Sequence, residues 1–156
     1  MKGTFKVVAI LLFTLTAAGI VMAQSDPFVG SWKLDVAKSK YDPGPAPKSQ
    51  TRTWDASGKV TVEGVSAAGK SVTYGYPVMN DGKDYPTMGS VPNGADMISS
   101  KKMGPNKVQL HFKRGGKPAE TTDFTVSNGG KTLTISAKGT NPDGSAFNNV
   151  TVWEKQ

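Results

Sequence analysis

A glycine-lysine step recurs five times along this chain, at Ser57-Gly58-Lys59, Ala68-Gly69-Lys70, Asp81-Gly82-Lys83, Gly115-Gly116-Lys117 and Gly129-Gly130-Lys131. Glycine reaches the positive φ of a tight hairpin turn without steric cost, and the lysine after it keeps the entrance of the next strand in water. Pro105-Asn106 and Asp143-Gly144 add two further turns. Between the turns, apolar and polar residues alternate. In Lys107–Lys113, Val108, Leu110 and Phe112 fall on one face, with Gln109 and His111 on the other. Leu133, Ile135 and Ala137 repeat the rule, as do Phe124 with Val126 and Val72 with Tyr74 and Tyr76. A period of two is the signature of strands with one buried face. The spacing predicts an all-β antiparallel meander of nine or ten strands, and a meander this long must curl into a barrel to hide its edges.

One segment breaks the rhythm. Asp42-Pro43-Gly44-Pro45-Ala46-Pro47 lies between Val36 and Ser49, and three prolines with a glycine fit neither a central strand nor a helix. The expectation here is one helical turn over Val36–Lys40 followed by an extended crossing loop. A second irregular stretch, Tyr85 to Asp96 with Pro86, Pro92 and Gly94, is expected to rim one end of the barrel.

The first residues read differently. Lys2 and Lys6 precede an apolar run from Val7 to about Val21, and Val21-Met22-Ala23 offers small residues for cleavage. This is the pattern of a secretory signal peptide over residues 1–23, with a single domain over residues 24–156 and an exported, periplasmic or secreted protein of bacterial type. No second apolar run of that length follows, so no membrane span is expected in the mature chain. The chain has no cysteine, which excludes disulfides, thiolate metal sites and a lipid-anchoring cysteine. Its net charge of +7 is carried by lysines scattered over turns. That distribution favours solubility over a nucleic-acid-binding patch.

Catalytic patterns fail on context. Gly64-Val65-Ser66-Ala67-Ala68-Gly69-Lys70-Ser71 satisfies the phosphate-loop string. That loop needs a helix after it, whereas Val72-Thr73-Tyr74-Gly75-Tyr76-Pro77 reads as a strand, so the string is expected to be a hairpin. Ser99-Ser100-Lys101-Lys102 contains S-x-x-K, but residues three apart in a strand face opposite ways. His111 is the one histidine and lies on a polar strand face, which supplies neither a triad nor a zinc site. The carboxylates Asp42, Asp81, Asp84 and Asp143 fall in turns, and no catalytic pair, metal site or cofactor motif emerges. Asn149-Val150-Thr151 matches a glycosylation sequon inside an expected strand. No enzyme is expected. Trp54, Tyr74, Tyr76, Phe112, Phe124 and Trp153 remain as candidates to line a barrel interior.

Phe28-Val29-Gly30-Ser31-Trp32-Lys33-Leu34 opens the domain, and a Gly-x-Trp on the first strand of a meander resembles the calycin superfamily, the lipocalins and fatty-acid-binding proteins. The resemblance implies that Gly30 and Trp32 close one end of the barrel, with Trp32 packed against Lys155 on the last strand. Thr122-Asp123-Phe124 is similar to the lipocalin Thr-Asp-Tyr tripeptide. The pattern departs from that superfamily in lacking a helical lid, a C-terminal helix and a matching Arg/Tyr carboxylate clamp. The chain also resembles a group of bacterial exported proteins through G-x-W-K-L, A-K-S-K-Y-x-P-G-P-A-P-K-S, D-G-K-D-Y-P and a terminal E-K-Q. This second resemblance implies export and the fold, but no activity. Together they imply a lipocalin-like barrel that binds a small apolar or amphipathic ligand. The alternative is a structural or interaction module of the cell envelope whose barrel is filled by its own side chains.

Overall fold

The computed structural model describes residues 26–156, and the signal-peptide reading of residues 1–23 lies outside them. The described chain forms eleven strands and no helix. They are β1 (Gly30–Lys40), β2 (Ser49–Trp54), β3 (Lys59–Val65), β4 (Ser71–Pro77), β5 (Tyr85–Pro86), β6 (Met88–Gly89), β7 (Met97–Gly104), β8 (Lys107–Arg114), β9 (Lys117–Val126), β10 (Thr132–Thr140) and β11 (Ala146–Lys155). All belong to one antiparallel sheet in the order β5-β7-β8-β9-β10-β11-β1-β2-β3-β4-β6. This is the expected meander, curled into a nearly closed barrel. The ends of the sheet meet at a seam spanned by consecutive residues, since Tyr85 and Pro86 pair with β7 while Met88 and Gly89 pair with β4.

The turns fall where the glycine-lysine steps place them. Gly58, Gly69, Gly82, Gly116 and Gly130 all have positive φ. The phosphate-loop string is the β3–β4 hairpin, in which Gly69 N–H donates to the Ser66 carbonyl and Ser66 N–H to that of Lys70. Ser99 to Lys102 lie within β7. The helical turn expected over Val36–Lys40 does not form: these residues continue β1. Asp35 produces the turn-like reading, because its Oδ1 accepts from Lys38 N–H and the pairing with β11 shifts register between Asp35 and Lys40. A bulge inside a strand absorbs what looks like helix in a short polar run.

One end of the barrel is filled. Phe28, Trp32, Val60, Ile98, Leu110 and Leu133 are wholly inaccessible, and burial of such side chains is worth roughly 1.5–3 kcal/mol each. Trp32 Nε1 donates to the Phe28 carbonyl at 2.9 Å, so the indole keeps its polar atom satisfied inside the core. Lys155 stands over that ring, with Nζ 5.0 Å from the centroid. Trp32 and Lys155 are register partners of β1 and β11. At Gly30 the φ of 139° is a backbone conformation that L side chains rarely adopt, and the bare Cα leaves room for the Lys155 stem, whose Cε would lie 2.8 Å from an added Cβ.

Gly139 marks a second close approach. A Cβ there would lie 2.1 Å from the Ala119 carbonyl oxygen and 2.8 Å from Glu120 Cα, so β9 and β10 need glycine where the sheet bends. Gly139→Ala is expected to lower unfolding stability by about 1–3 kcal/mol in urea melts, whereas Gly129→Ala, with open space around it, stays within about 0.5 kcal/mol of the parent.

Candidate functional site

The other end of the barrel is hollow. A cavity of about 570 Å³ occupies it, within the range of small-molecule sites. Its wall is the inner face of β2, β4, β8, β9, β10 and β11, and its rim is the proline segment 41–47, the 66–68 turn and the 90–93 loop. The inward phase of each strand delivers these side chains, because residues two apart share a face. Tyr74 and Tyr76 come from β4, Phe112 from β8, Phe124 from β9 and Trp153 from β11. Trp54 does not line the cavity. It stands opposite Gly30 at the filled end, 4.9 Å from the Phe28 ring and 5.8 Å, edge-on, from Phe124. Gly30, Trp32 and Lys155 sit together at the filled end, as described above.

Two charged residues in this wall were absent from the sequence expectations. The first is Arg52 on β2, only 5% exposed. Its guanidinium lies 4.8 Å from the Trp153 ring centroid, 5.2 Å from Phe124 and 5.9 Å from Tyr76. Nη1 donates to the Tyr76 hydroxyl, and Nε is buried with no hydrogen-bond partner. Among the described residues no carboxylate lies within 4 Å of it. A buried cation with no carboxylate in contact carries a desolvation penalty of several kcal/mol. Cation–π contacts offset about 0.5–2 kcal/mol of this each. Since Tyr76 accepts from Arg52, its own proton is free to be donated elsewhere. The sequence contained no recognisable Arg/Tyr clamp, yet the fold places Arg52 and Tyr76 side by side in the cavity wall.

The second is Glu120 on β9. Its Oε2 accepts from Asn93 Nδ2 at 2.5 Å and its Oε1 accepts from the Thr122 hydroxyl. Burial pushes its carboxyl up from the ordinary value, while the bonds from Thr122 and Asn93 and the field of Arg52 pull it partway back. Burial also raises the phenols: Tyr41 at the rim to about 12, and Tyr74 and Tyr76 likewise upward. All three remain neutral hydrogen-bond donors at physiological pH.

The rim is tied down by backbone carbonyls. Arg114 donates to Asn93 O at 2.5 Å, to Thr140 O at 3.2 Å and to Asn141 O at 3.1 Å. Asn149, the sequon residue, lines the cavity and accepts from Asp42 N–H at 2.9 Å, which commits its side chain to holding the proline segment. Among the described residues, no group of three or more His, Cys, Asp or Glu side chains could hold a metal ion, and no helix is long and apolar enough to cross a membrane. His111 is exposed and 3.3 Å from the Thr121 hydroxyl, away from the cavity wall.

No protein-family model matches the chain, and no curated protein matches it. Solved structures do. The chain is similar to the zebrafish ileal bile acid-binding protein complexed with cholic acid, at 14% identity over 83% of this chain and 99% of that one, with a TM-score of 0.50. It is also similar to As-p18, an extracellular fatty acid binding protein, at 15% identity over 84% of this chain and 97% of that one, with a TM-score of 0.52. At such identities the likeness establishes the fold alone, a lipocalin-like β-barrel.

The Glu120 carboxyl titrates higher in the folded than in the unfolded chain, whose value is near the ordinary 4.5. Between those two values the folded protein binds more protons, so this group makes stability fall as pH rises through the window. Glu120→Gln removes that slope. In urea melts from about pH 4 to pH 8, the variant is expected to gain on the parent as pH rises and to lose ground as it falls.

Proposed function

We propose that this chain is an exported, non-enzymatic carrier that holds one small amphipathic ligand in the hollow half of its barrel, with the ligand's anionic group at Arg52. The observation that carries this reading is the buried guanidinium in the cavity wall, with its unpartnered Nε and no carboxylate beside it. An anion there would supply a counter-charge in direct contact, and charge-assisted hydrogen bonds are about twice as strong as neutral ones. The Tyr76 hydroxyl stands ready as a second donor. The remaining wall is largely aromatic and aliphatic, which suits an apolar body removed from water at about 25 cal/mol per Å². The similarity to a bile acid-binding protein and an extracellular fatty acid binding protein supports the same ligand class. The signal-peptide pattern at residues 1–23 supports export.

Native mass spectrometry of the protein purified from its own envelope fraction tests the reading. A mass above that of the bare chain, with the excess lost on denaturation, is the expected result. A bare mass, together with no thermal shift across fatty acids, isoprenoids and haem-like compounds, overturns it in favour of a structural envelope module.

Arg52→Met separates binding from folding. It is expected to weaken fatty-acid binding by about tenfold or more in fluorescence displacement, through loss of a charged hydrogen-bond partner. In the absence of ligand its thermal midpoint is expected to match or exceed the parent's, because replacing a buried charge that has no carboxylate in contact by an apolar side chain is often neutral or stabilising.

A further inference from the structure

Glu120 is a carboxyl group set into the wall of the same cavity, and the binding of an anion at Arg52 gives it no role. It makes no ion pair within 4 Å among the described residues. Its two hydrogen bonds, from Asn93 and Thr122, fix the carboxyl in place. Both donors are themselves anchored. Asn93 Oδ1 accepts from Ala95 N–H at 3.0 Å and its carbonyl accepts from Arg114, while Thr122 is buried in the middle of β9. A carboxylate offers about four lone-pair sites, so roughly half of them remain open after these two bonds. Thr122 and Asn93 line the cavity with Glu120, which makes this stretch of wall polar where Phe112, the register partner of Glu120, is apolar.

We propose that the ligand carries a hydroxyl group on its apolar body, separate from its anionic group, and that Glu120 accepts a hydrogen bond from it. The inference rests on the reading of the cavity as an anionic-amphiphile site and names its ligand class more closely, as a hydroxylated anionic amphiphile. A hydroxyl fits better than an ammonium, because a carboxyl oxygen accepts from a hydroxyl whether the group is ionised or, as burial favours, protonated, whereas an ammonium needs the ionised form. A plain alkyl chain fits worse. It would bury the open lone pairs of Glu120 without a donor, and leaving a buried acceptor unsatisfied costs about 1–3 kcal/mol, more when it is charged. Holding the rim requires only acceptors for Asn93 and Thr122. The position of a preorganised carboxyl at the wall of a hollow, not beneath a packed core, is what points to a ligand group.

Calorimetric titration of the purified protein with stearate and with a series of hydroxystearates differing in hydroxyl position tests this. At least one hydroxystearate is expected to bind about tenfold or more tightly than stearate, as a site built to hydrogen-bond a hydroxyl discriminates against the analogue lacking it. Glu120→Gln is expected to shrink that preference toward unity, read as the ratio of hydroxystearate to stearate affinity within the variant. A role confined to holding Asn93 would not move the ratio between the two ligands. Equal binding of stearate and every hydroxystearate overturns the inference and leaves the anionic-amphiphile reading standing, as does a preference unchanged in Glu120→Gln. Failure of stearate and all hydroxystearates to bind overturns that underlying reading, and the inference with it.

Discussion

The pairing of the first long strand with the last holds the barrel together. From β1 to β4, and again from β7 to β11, each strand pairs with its neighbour in sequence. These are two local meanders, each able to form from hairpins. The one ladder between long strands that joins them is β1 against β11, in a register that sets Trp32 opposite Lys155 and Leu34 opposite Trp153. Closing so long a loop has an entropic cost that hairpins do not meet. The residues at this junction are accordingly the ones whose packing leaves least freedom: an inaccessible tryptophan hydrogen-bonded to Phe28, a lysine over its ring, and a glycine that admits the lysine stem. The seam between β4 and β7 is weaker by comparison, bridged by two-residue strands and the Asp81–Lys101 contact. Closure at β1–β11 therefore fixes the shape of the wall, and the wall fixes where Arg52 and Glu120 face.

The two ends of the barrel divide the work. At the filled end, aromatic and branched side chains pack against one another, and the Trp32 indole N–H finds its acceptor inside at the Phe28 carbonyl. At the hollow end the same inward phase delivers a cation, a carboxyl and two tyrosines around space. Polar groups in such a place oppose folding, since their desolvation is only partly returned by cation–π contacts and hydrogen bonds. A chain that needed only a stable sheet would gain by apolar residues at positions 52 and 120. The stability of the filled end is what allows the hollow end to keep its unsatisfied groups.

The strands were legible because a period of two is a local signal, readable without knowledge of partners. Val108, Leu110 and Phe112 announce their face wherever the strand lies. Strand register is not local, and this explains Trp54. Alternation correctly turns it inward, but only its pairing opposite Gly30 puts it at the filled end instead of in the cavity wall. Arg52 and Glu120 left a usable trace. In Gln50-Thr51-Arg52-Thr53-Trp54 the arginine shares the phase of the buried tryptophan, and in Glu120-Thr121-Thr122-Asp123-Phe124 the glutamate shares that of the buried phenylalanine. A charge on the apolar phase of a strand is an inward charge, and weighing charges by phase would have singled out both. The extension of β1 through Lys40 left a weaker trace. A strand bulged around an Asp35 side chain that caps its own backbone has no alternation to show.

The irregular segments are where the remaining specificity resides. Pro43, Pro45 and Pro47 on one side of the mouth and Pro92 on the other restrict the rim's backbone, which lowers the entropy lost when the rim is held in one shape. The bonds that hold it run to the polar wall itself: Asn93 to Glu120, and Asp42 N–H to Asn149. Arg114 adds a clamp from the 90–93 loop to the β10–β11 turn. The groups that would read a ligand's polar atoms are thus bonded to the loops it must pass. In the proposed carrier, occupancy of the wall and order at the mouth would form one coupled equilibrium, because a ligand that engaged Glu120 would also bear on the bond that anchors Asn93.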